Sequence, residues 1–306
     1  MTWRVHLSDS VVYRIDVLPG TPELLCVWFS NDEASFFDLA SGAARGRLLV
    51  QVPDGDIDSD RGSEDWQQFL GGLRATNGAV LPVVRLPELT IHRTDDNRYR
   101  LYDDGHGLSL QVDGTEQHIG PVDKLFTSVK LDRTAGVAAA LDERGLLHTS
   151  AGAQSVTSAD VGLQLLPGIL PDLAVADGAA SIFLSDGSRI ILTDRACNVR
   201  CAVPTHYPVG KIACSRNGHY CATSDSETGI IRVYTGEMLN FAYQKFAVDL
   251  FAAARPVQLL ADMPTPRLGI SALTITNNGV IAFAMDGMVT VTNLTAMQKM
   301  PHLQSG

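Results

Sequence analysis

Basic residues are scarce in this 306-residue sequence, and they form no cluster. Lys and Arg together number 24 against 34 Asp and Glu, which gives a formal net charge of −10. Binding to nucleic-acid phosphates or to anionic membrane surfaces requires clustered positive charge. The sequence therefore predicts neither a nucleic-acid-binding nor a membrane-docking protein.

Long apolar runs are also missing. The first ten residues, MTWRVHLSDS, contain no apolar run after their single Arg, which argues against a secretory signal. No window approaches the roughly 18 consecutive apolar residues of a membrane-spanning helix. The five cysteines are an odd number without paired spacing, a pattern that favours reduced thiols over a disulfide framework. These absences together predict a cytoplasmic protein.

Catalytic motifs are absent as well. The sequence has no G-x-S-x-G, no H-E-x-x-H and no Gly-rich phosphate loop. His106 lies beside carboxylates in segment 103–107, but a tight β-turn uses the same residue types for backbone reasons. We therefore predict no catalytic residue, no cofactor and no enzyme activity.

The stretch from Ile212 to Val233 shows the pattern around which the rest of the chain is organised. Three short segments alternate apolar residues with small or polar ones, and turn residues separate them at 216–219 and 226–229. Alternation with a period of two is typical of half-buried β-strands. The stretch therefore predicts three strands joined by tight turns.

The order of strands and turns in Ile212–Val233 resembles a repeat of the WD-repeat β-propeller family. Cys214 and Cys221 stand where that family usually has Phe or Leu. Leu24–Gly42 is similar too, with Phe37-Asp38 in the place of the family's Trp-Asp. The resemblance implies a non-catalytic propeller that acts as a scaffold for another protein or as a subunit of a complex. An alternative from a different class is a propeller hydrolase or lyase with a metal in its central channel.

Similar units recur along the chain and predict its architecture. Each unit has a central turn between two of its strands, and four of these turns lie about 40 residues apart, which is the length of a four-stranded propeller blade. These four turns are at Asp104, Glu143, Asp186 and Glu227. We count six blades, and seven are possible if residues 53–98 contain a degenerate one. The predicted fold is all-β, a single β-propeller domain over residues 1–306.

Two short helical insertions, at about 53–78 and 241–264, interrupt the predicted repeat. Apolar spacing predicts one helix over Trp66–Leu73 and another over Tyr243–Met263. The N-terminal strand Trp3–Leu7 is expected to pair with the last blade as its outer strand. Without that strand, unpaired N–H and C=O groups would be exposed at the blade edge.

One stretch is rich in residues that can bind metals, and two interpretations of it compete. One interpretation is a zinc site, which would use four nitrogen or sulfur ligands. The cysteine spacing is C-x3-C followed by C-x6-C, unlike the C-x2-C pairs of zinc sites. The candidate ligands are Cys197, Cys201, His206, Cys214, His219 and Cys221. Two of these cysteines fall on strand positions that suit small apolar residues, and a free Cys packs as one. We interpret the cysteines as core residues.

Segment 54–60 alternates carboxylates like the start of a calcium-binding loop. The candidate calcium ligands are Asp54, Asp56, Asp58 and Asp60. Ser59 replaces the glycine of such a loop, and Asp65 replaces its final glutamate. The default interpretation is therefore a solvated acidic loop without a metal.

Partner binding is assigned to the two insertions, since insertions in repeat proteins often lie on the binding side. The candidate partner-binding residues are Asp56, Asp58, Trp66, Phe246 and Phe251. The alternative is that each insertion only caps a face of its own propeller. The expected partner is another protein.

Overall fold

The computed structural model describes the chain between residues 2 and 294. The described residues are 2–7, 11–30, 33–50, 71–75, 83–86, 90–93, 99–103, 108–112, 115–119, 126–132, 136–151, 156–177, 180–227, 230–235, 262–263, 269–285 and 287–294.

These residues are predominantly β-strand, and residues 71–75 are helical. The strands are, in chain order, β1 (Thr2–His6), β2 (Val12–Leu18), β3 (Leu24–Phe29), β4 (Glu33–Asp38), β5 (Ala44–Val50), β6 (Val83–Leu86), β7 (Thr90–Arg93), β8 (Tyr99–Asp103), β9 (Leu108–Val112), β10 (Thr115–His118), β11 (Phe126–Leu131), β12 (Val137–Asp142), β13 (Leu146–Ala151), β14 (Thr157–Asp160), β15 (Asp172–Val175), β16 (Ile182–Ser185), β17 (Arg189–Thr193), β18 (Val199–Pro204), β19 (Val209–Cys214), β20 (Tyr220–Asp225), β21 (Ile231–Thr235), β22 (Asp262–Met263), β23 (Ala272–Ile275), β24 (Val280–Met285) and β25 (Met288–Asn293).

The described strands form five four-stranded sheets and one five-stranded sheet, and the chain divides into two compact units. Unit 1 comprises Met1–Leu89, Ser271–Thr274 and Ile281–Asn293. Unit 2 comprises Thr90–Ile270, Ile275–Val280 and Leu294–Gly306.

Unit 1 contains the five-stranded sheet, in the order β2-β3-β4-β5-β6. The first four strands are antiparallel, and β6 joins β5 in parallel, with Arg47 opposite Val83. Phe36 and Leu48 are completely buried in the core cluster of this sheet. Leu73, from helical residues 71–75, packs into the same cluster.

The first strand of the chain completes the sheet formed by its last strands. β1 pairs antiparallel with β25, with Trp3 opposite Val291, and becomes an edge strand in the order β1-β25-β24-β23. The Trp3 indole N–H donates to the carbonyl of Leu39 at 2.9 Å. The predicted pairing of the N-terminal strand with the last blade is confirmed.

Unit 2 contains four antiparallel sheets, β7–β10, β11–β14, β15–β18 and β19–β22. Strand β12 shows how these sheets pack, because all six of its residues are buried. Val137, Ala139 and Leu141 join a core cluster with the following sheet. Ala138 and Ala140 join a cluster with the preceding sheet. Each face of β12 is therefore buried on a neighbouring sheet, the packing that a propeller requires.

The predicted all-β propeller class is confirmed, and the predicted blades need one correction. Five sheets have the predicted four strands, whereas the first sheet has five. Residues 83–86 add to the edge of that first sheet, because β5 offers an unpaired edge on which β6 pairs. They therefore do not begin the seventh blade that segment 53–98 was considered to contain.

Two local predictions were wrong, at a connection and at a helix end. The Ser/Ala/Gly-rich composition of residues 150–159 predicts a connection between strands, but residues 150–151 end β13 and residues 157–159 belong to β14. Asp262–Met263 was predicted to end a helix but forms β22, which pairs with β21 through Ile231 and Arg232. The remainder of that predicted helix lies outside the described residues.

The helical residues 71–75 agree with the end of the predicted helix Trp66–Leu73, whose beginning lies outside the described residues. Within the described parts of the chain, no helix is long and apolar enough to cross a membrane.

Candidate protein-binding surface

Most of the two insertions assigned to partner binding lies outside the described residues. The candidate residues Asp54, Asp56, Asp58, Asp60, Trp66, Phe246 and Phe251 all lie outside the described residues. The proposals made for them therefore stay predictions.

The cysteine-rich stretch forms core in the structure. Cys197, Cys201 and Cys221 are buried, whereas Cys214 is half-buried. The core interpretation is thus confirmed for Cys221 and only in part for Cys214. Among the residues that the structure describes, no group of three or more metal-ligating side chains is positioned to hold an ion.

An exposed apolar segment in unit 2 is the candidate binding surface. We call residues 162–170, which connect β14 to β15, the apolar loop. Leu165 is 43% exposed, Leu166 is 37% exposed and Leu170 is 71% exposed. Large aliphatic side chains clustered on a surface mark interaction sites more often than isolated ones do.

A tight turn at the tip gives the apolar loop its shape. The N–H of Ile169 donates to the carbonyl of Leu166 at 3.2 Å. Pro167 and Gly168 occupy the two central positions of this turn, and Gly168 has a φ of 79°. Pro fixes the first central residue, and Gly permits the positive φ at the second, as a type II turn requires.

Polar contacts hold both the start of the apolar loop and the neighbouring turn after β16. The Arg189 guanidinium donates to the carbonyl of Gly162 at 2.6 Å. The N–H of Gln164 donates to the carboxylate of Asp186 at 3.0 Å. Asp186 is completely buried and forms an ion pair with Arg189 at 2.6 Å. The loop therefore has a defined backbone position on the sheet below it.

The electrostatics of Asp186 fit this anchoring role. Burial by itself raises the pKa of the carboxyl, but hydrogen bonds from the N–H groups of Gln164 and Ser188 and from Arg189 lower it below 3.8 overall. A carboxylate that accepts several N–H bonds is stabilised in its charged form. Asp186 is therefore a charged anchor for the loop.

Glycine turns allow the apolar loop to lie close to two sheets. A Cβ on Gly187 would lie 2.9 Å from Cγ2 of Ile169, and one on Gly145 would lie 3.4 Å from Cβ of Leu163. Leu165 and Leu166 also approach these turns, with Cδ2 of Leu165 at 3.6 Å from the Gly145 position and Cδ1 of Leu166 at 3.3 Å from the Gly187 position. Both leucines nevertheless remain exposed.

The strand and insertion patterns of the sequence do not point to this surface. A signal was nevertheless present in the sequence. Residues 161–171, VGLQLLPGILP, contain no charged residue, although they connect two strands. An apolar run is unusual for a surface connection, which is ordinarily polar.

A buried hydrogen-bond chain in unit 2 is the described arrangement that most closely resembles a nucleophilic relay. Nε2 of His148 lies 3.2 Å from Oδ2 of Asp142, and Nδ1 lies 2.8 Å from Oγ of Ser158. Asp142 and His148 are buried, whereas Ser158 is exposed. The chain links β12, β13 and β14 of one sheet, and Asp142 also accepts the turn N–H groups of Arg144 and Leu146. This arrangement holds the turn and the outer strand in place.

Small antiparallel sheets packed on neighbouring sheets define a β-propeller fold. The structure is similar to the crystal structure of Raptor from Chaetomium thermophilum, with a TM-score of 0.61 and 12% sequence identity. The likeness covers 92% of this chain but only 28% of the length of that protein, and it concerns the fold. No protein-family model matches the chain, and no curated protein does.

Proposed function

We propose that this protein is a non-catalytic scaffold that binds another protein through the apolar loop. The observation that carries the proposal is the exposure of Leu165, Leu166 and Leu170 on a backbone anchored by Asp186 and Arg189. Exposing apolar side chains to water is unfavourable, and covering them with a partner removes that cost. The chemistry of the surface fits an apolar or amphipathic segment.

The insertions remain part of this proposal. Asp56, Asp58, Trp66, Phe246 and Phe251 are proposed to extend the contact toward the same partner or to bind a second one. The acidic residues would favour a basic segment, with an attraction that weakens as salt increases. We further propose a cytoplasmic location, which is consistent with five free cysteines.

The test compares proteins captured from the native host by tagged variants. Replacement of Leu165, Leu166 and Leu170 by Ser removes the apolar surface without altering the glycine turns or the anchoring ion pair. The matched control is Val199→Ser, because Val199 is 43% exposed in the same unit but lies on β18. We expect the triple variant to lose partners that the wild type and the control both retain.

Quantitative mass spectrometry of the captured proteins gives the readout, with circular dichroism to verify folding. Capture of the same partners in the same amounts by the folded triple variant would refute the apolar loop as the binding surface. Partner binding would then be assigned to the two insertions.

The alternative of a propeller enzyme with a central-channel metal is tested separately by elemental analysis of purified protein. A tightly bound metal in stoichiometric amount would favour that alternative over a non-catalytic scaffold.

A further inference from the structure

Cys214 and Cys221 lie directly opposite each other on neighbouring antiparallel strands. Cys214 is the last residue of β19, Cys221 is the second residue of β20, and their Cα atoms are register partners. Opposed residues of an antiparallel pair project from the same face of the sheet. The two thiols are therefore neighbours across the hairpin.

The hydrogen bonds of the hairpin determine the spacing of this pair. The N–H of Ser215 donates to the carbonyl of Tyr220 at 2.9 Å, which marks these two residues as a hydrogen-bonded pair. Because the two kinds of pair alternate, Cys214 and Cys221 form a non-hydrogen-bonded pair, with Cα atoms about 4.5 Å apart. Disulfides join Cα atoms roughly 4.4–6.8 Å apart. The backbone spacing therefore suits a disulfide.

The two cysteine residues differ in exposure. Cys221 is completely buried, whereas Cys214 is half-buried beside the turn 215–219. Cys201, on β18, belongs to the same core cluster and is a third thiol close to Cys221. Cys214 is therefore the more exposed residue of the pair, and Cys221 lies opposite it.

We propose that Cys214 and Cys221 form a cross-strand disulfide when the protein meets a small disulfide oxidant of the glutathione type. The Cys214 thiolate attacks one sulfur of oxidised glutathione, which forms a mixed disulfide and releases one glutathione thiolate. The Cys221 thiolate then attacks the sulfur of Cys214 and releases the second glutathione thiolate. The protein thiols lose two electrons to the oxidant, and their two protons pass through solvent to the released thiolates.

The turn that this disulfide would close bonds to two residues outside the hairpin, Asp177 and Asn277, which both belong to unit 2. The Arg216 guanidinium pairs with Asp177 at 3.0 Å, and the N–H of Asn217 donates to the side chain of Asn277 at 2.9 Å. A covalent link at the base of the hairpin would restrict the backbone from which these contacts extend. Oxidation is therefore expected to rigidify this turn.

The surroundings of the two thiols determine how fast the reaction proceeds. Burial raises the pKa of both thiols well above its ordinary value. The titratable groups near Cys214 are Asp177, Lys130 and Asp132, and those near Cys221 are Cys214, Cys201, Tyr207 and Tyr234. Because the thiolate is the attacking species, the rate should rise by up to about tenfold for each pH unit below the thiol pKa.

The experiment treats the full-length protein with excess oxidised glutathione at pH 7.5 and pH 8.5 and maps its peptides by mass spectrometry. We expect a loss of about 2 Da and a peptide that joins Cys214 to Cys221, formed faster at the higher pH. Cys201→Ser is the matched control and should form the same link. Cys221→Ser should instead retain glutathione on Cys214, a gain of about 305 Da.

Three results would overturn the proposal. They are a wild-type protein that stays unmodified at both pH values, a disulfide that includes Cys201, and glutathione distributed equally over all five cysteines. The wild-type peptide map gives each of these results directly, even if a serine variant fails to fold.

Discussion

At the scale of single residues, two glycines in or beside the apolar loop differ in how closely other atoms approach them. Gly187 has a φ of 91°, and a Cβ there would lie 2.9 Å from Cγ2 of Ile169. Gly162 has a φ of 71°, and a Cβ there would meet no atom within 4 Å. Both positions favour glycine for backbone reasons, but only Gly187 does so for close contact as well.

Replacement of these glycines by alanine separates the two effects. We expect Gly162→Ala to cost about 1 kcal/mol of unfolding free energy, from backbone strain alone. Gly187→Ala should cost about 1–3 kcal/mol more, because Ile169 must move as well. Urea unfolding followed by circular dichroism measures both values. Equal losses in the two variants would contradict the close packing of the apolar loop on the turn after β16.

Asp186 predicts a pH dependence of stability. Its folded-state pKa is lowered from 3.8, chiefly because N–H bonds and Arg189 outweigh the effect of burial. A carboxyl of this kind contributes stability that is complete above its unfolded pKa and is lost as the pH falls through its folded pKa. We expect the Tm difference between the wild type and Asp186→Asn to be constant above about pH 5 and to shrink as the pH falls below 3.8.

Thermal melts from pH 3 to pH 7 provide the comparison for Asp186. A difference that stays constant over the whole range would show that the charge of Asp186 does not contribute to stability.

At the scale of elements, the fourth strands of three blades explain much of what sequence reasoning missed. Strands β10 and β14 each have three exposed residues out of four, and β18 has four out of six. An edge strand with so little burial needs no regular alternation of apolar side chains. Its position is determined by hydrogen bonds to the strand beside it, and the sequence records those bonds only indirectly.

Strand β1 provides the prediction at this scale. Deletion of residues 1–8 removes the pairing with β25 and the packing of Trp3 over Gly42. We expect a loss of about 2–4 kcal/mol, from several backbone hydrogen bonds and one aromatic contact. The matched control Arg4→Ala changes an exposed side chain of β1 and keeps the strand. An unchanged Tm for the truncated protein would show that β1 contributes no stability.

At the scale of the whole molecule, the sequence predicts a single domain, and the structure divides the chain into two compact units. Whether the two units unfold together tests the prediction. All three tryptophans, Trp3, Trp28 and Trp66, belong to unit 1, which includes Met1–Leu89. Tryptophan fluorescence therefore reports on unit 1, whereas far-ultraviolet circular dichroism reports on the strands of both units.

If residues 1–306 form one cooperative domain, both signals should change at the same urea concentration and with the same slope. Two separate midpoints would show that the units unfold independently. A ligand-free sample at several protein concentrations would serve as the control, since association also shifts the midpoint.

The sequence by itself determined the inner strands. The residue pattern predicts strands over 24–29, 108–112, 189–193 and 220–225, and the structure has β3, β9, β17 and β20 at the same residues. These strands lie inside their sheets, so runs of apolar residues bounded by turn residues mark them locally. The repeat of about 40 residues, and with it the propeller class, followed from the same local signals.

Tertiary structure alone decided the features on which the functional proposals rest. The apolar loop packs against the turns at Gly145 and Gly187, where Leu163 and Ile169 lie closest, while Leu165, Leu166 and Leu170 stay exposed. The pairing of Cys214 with Cys221 depends on the register of β19 and β20, and a shift of one residue would separate the thiols onto opposite faces. Exposure and register arise from contacts between segments, and the spacing of residues along the chain does not encode them directly.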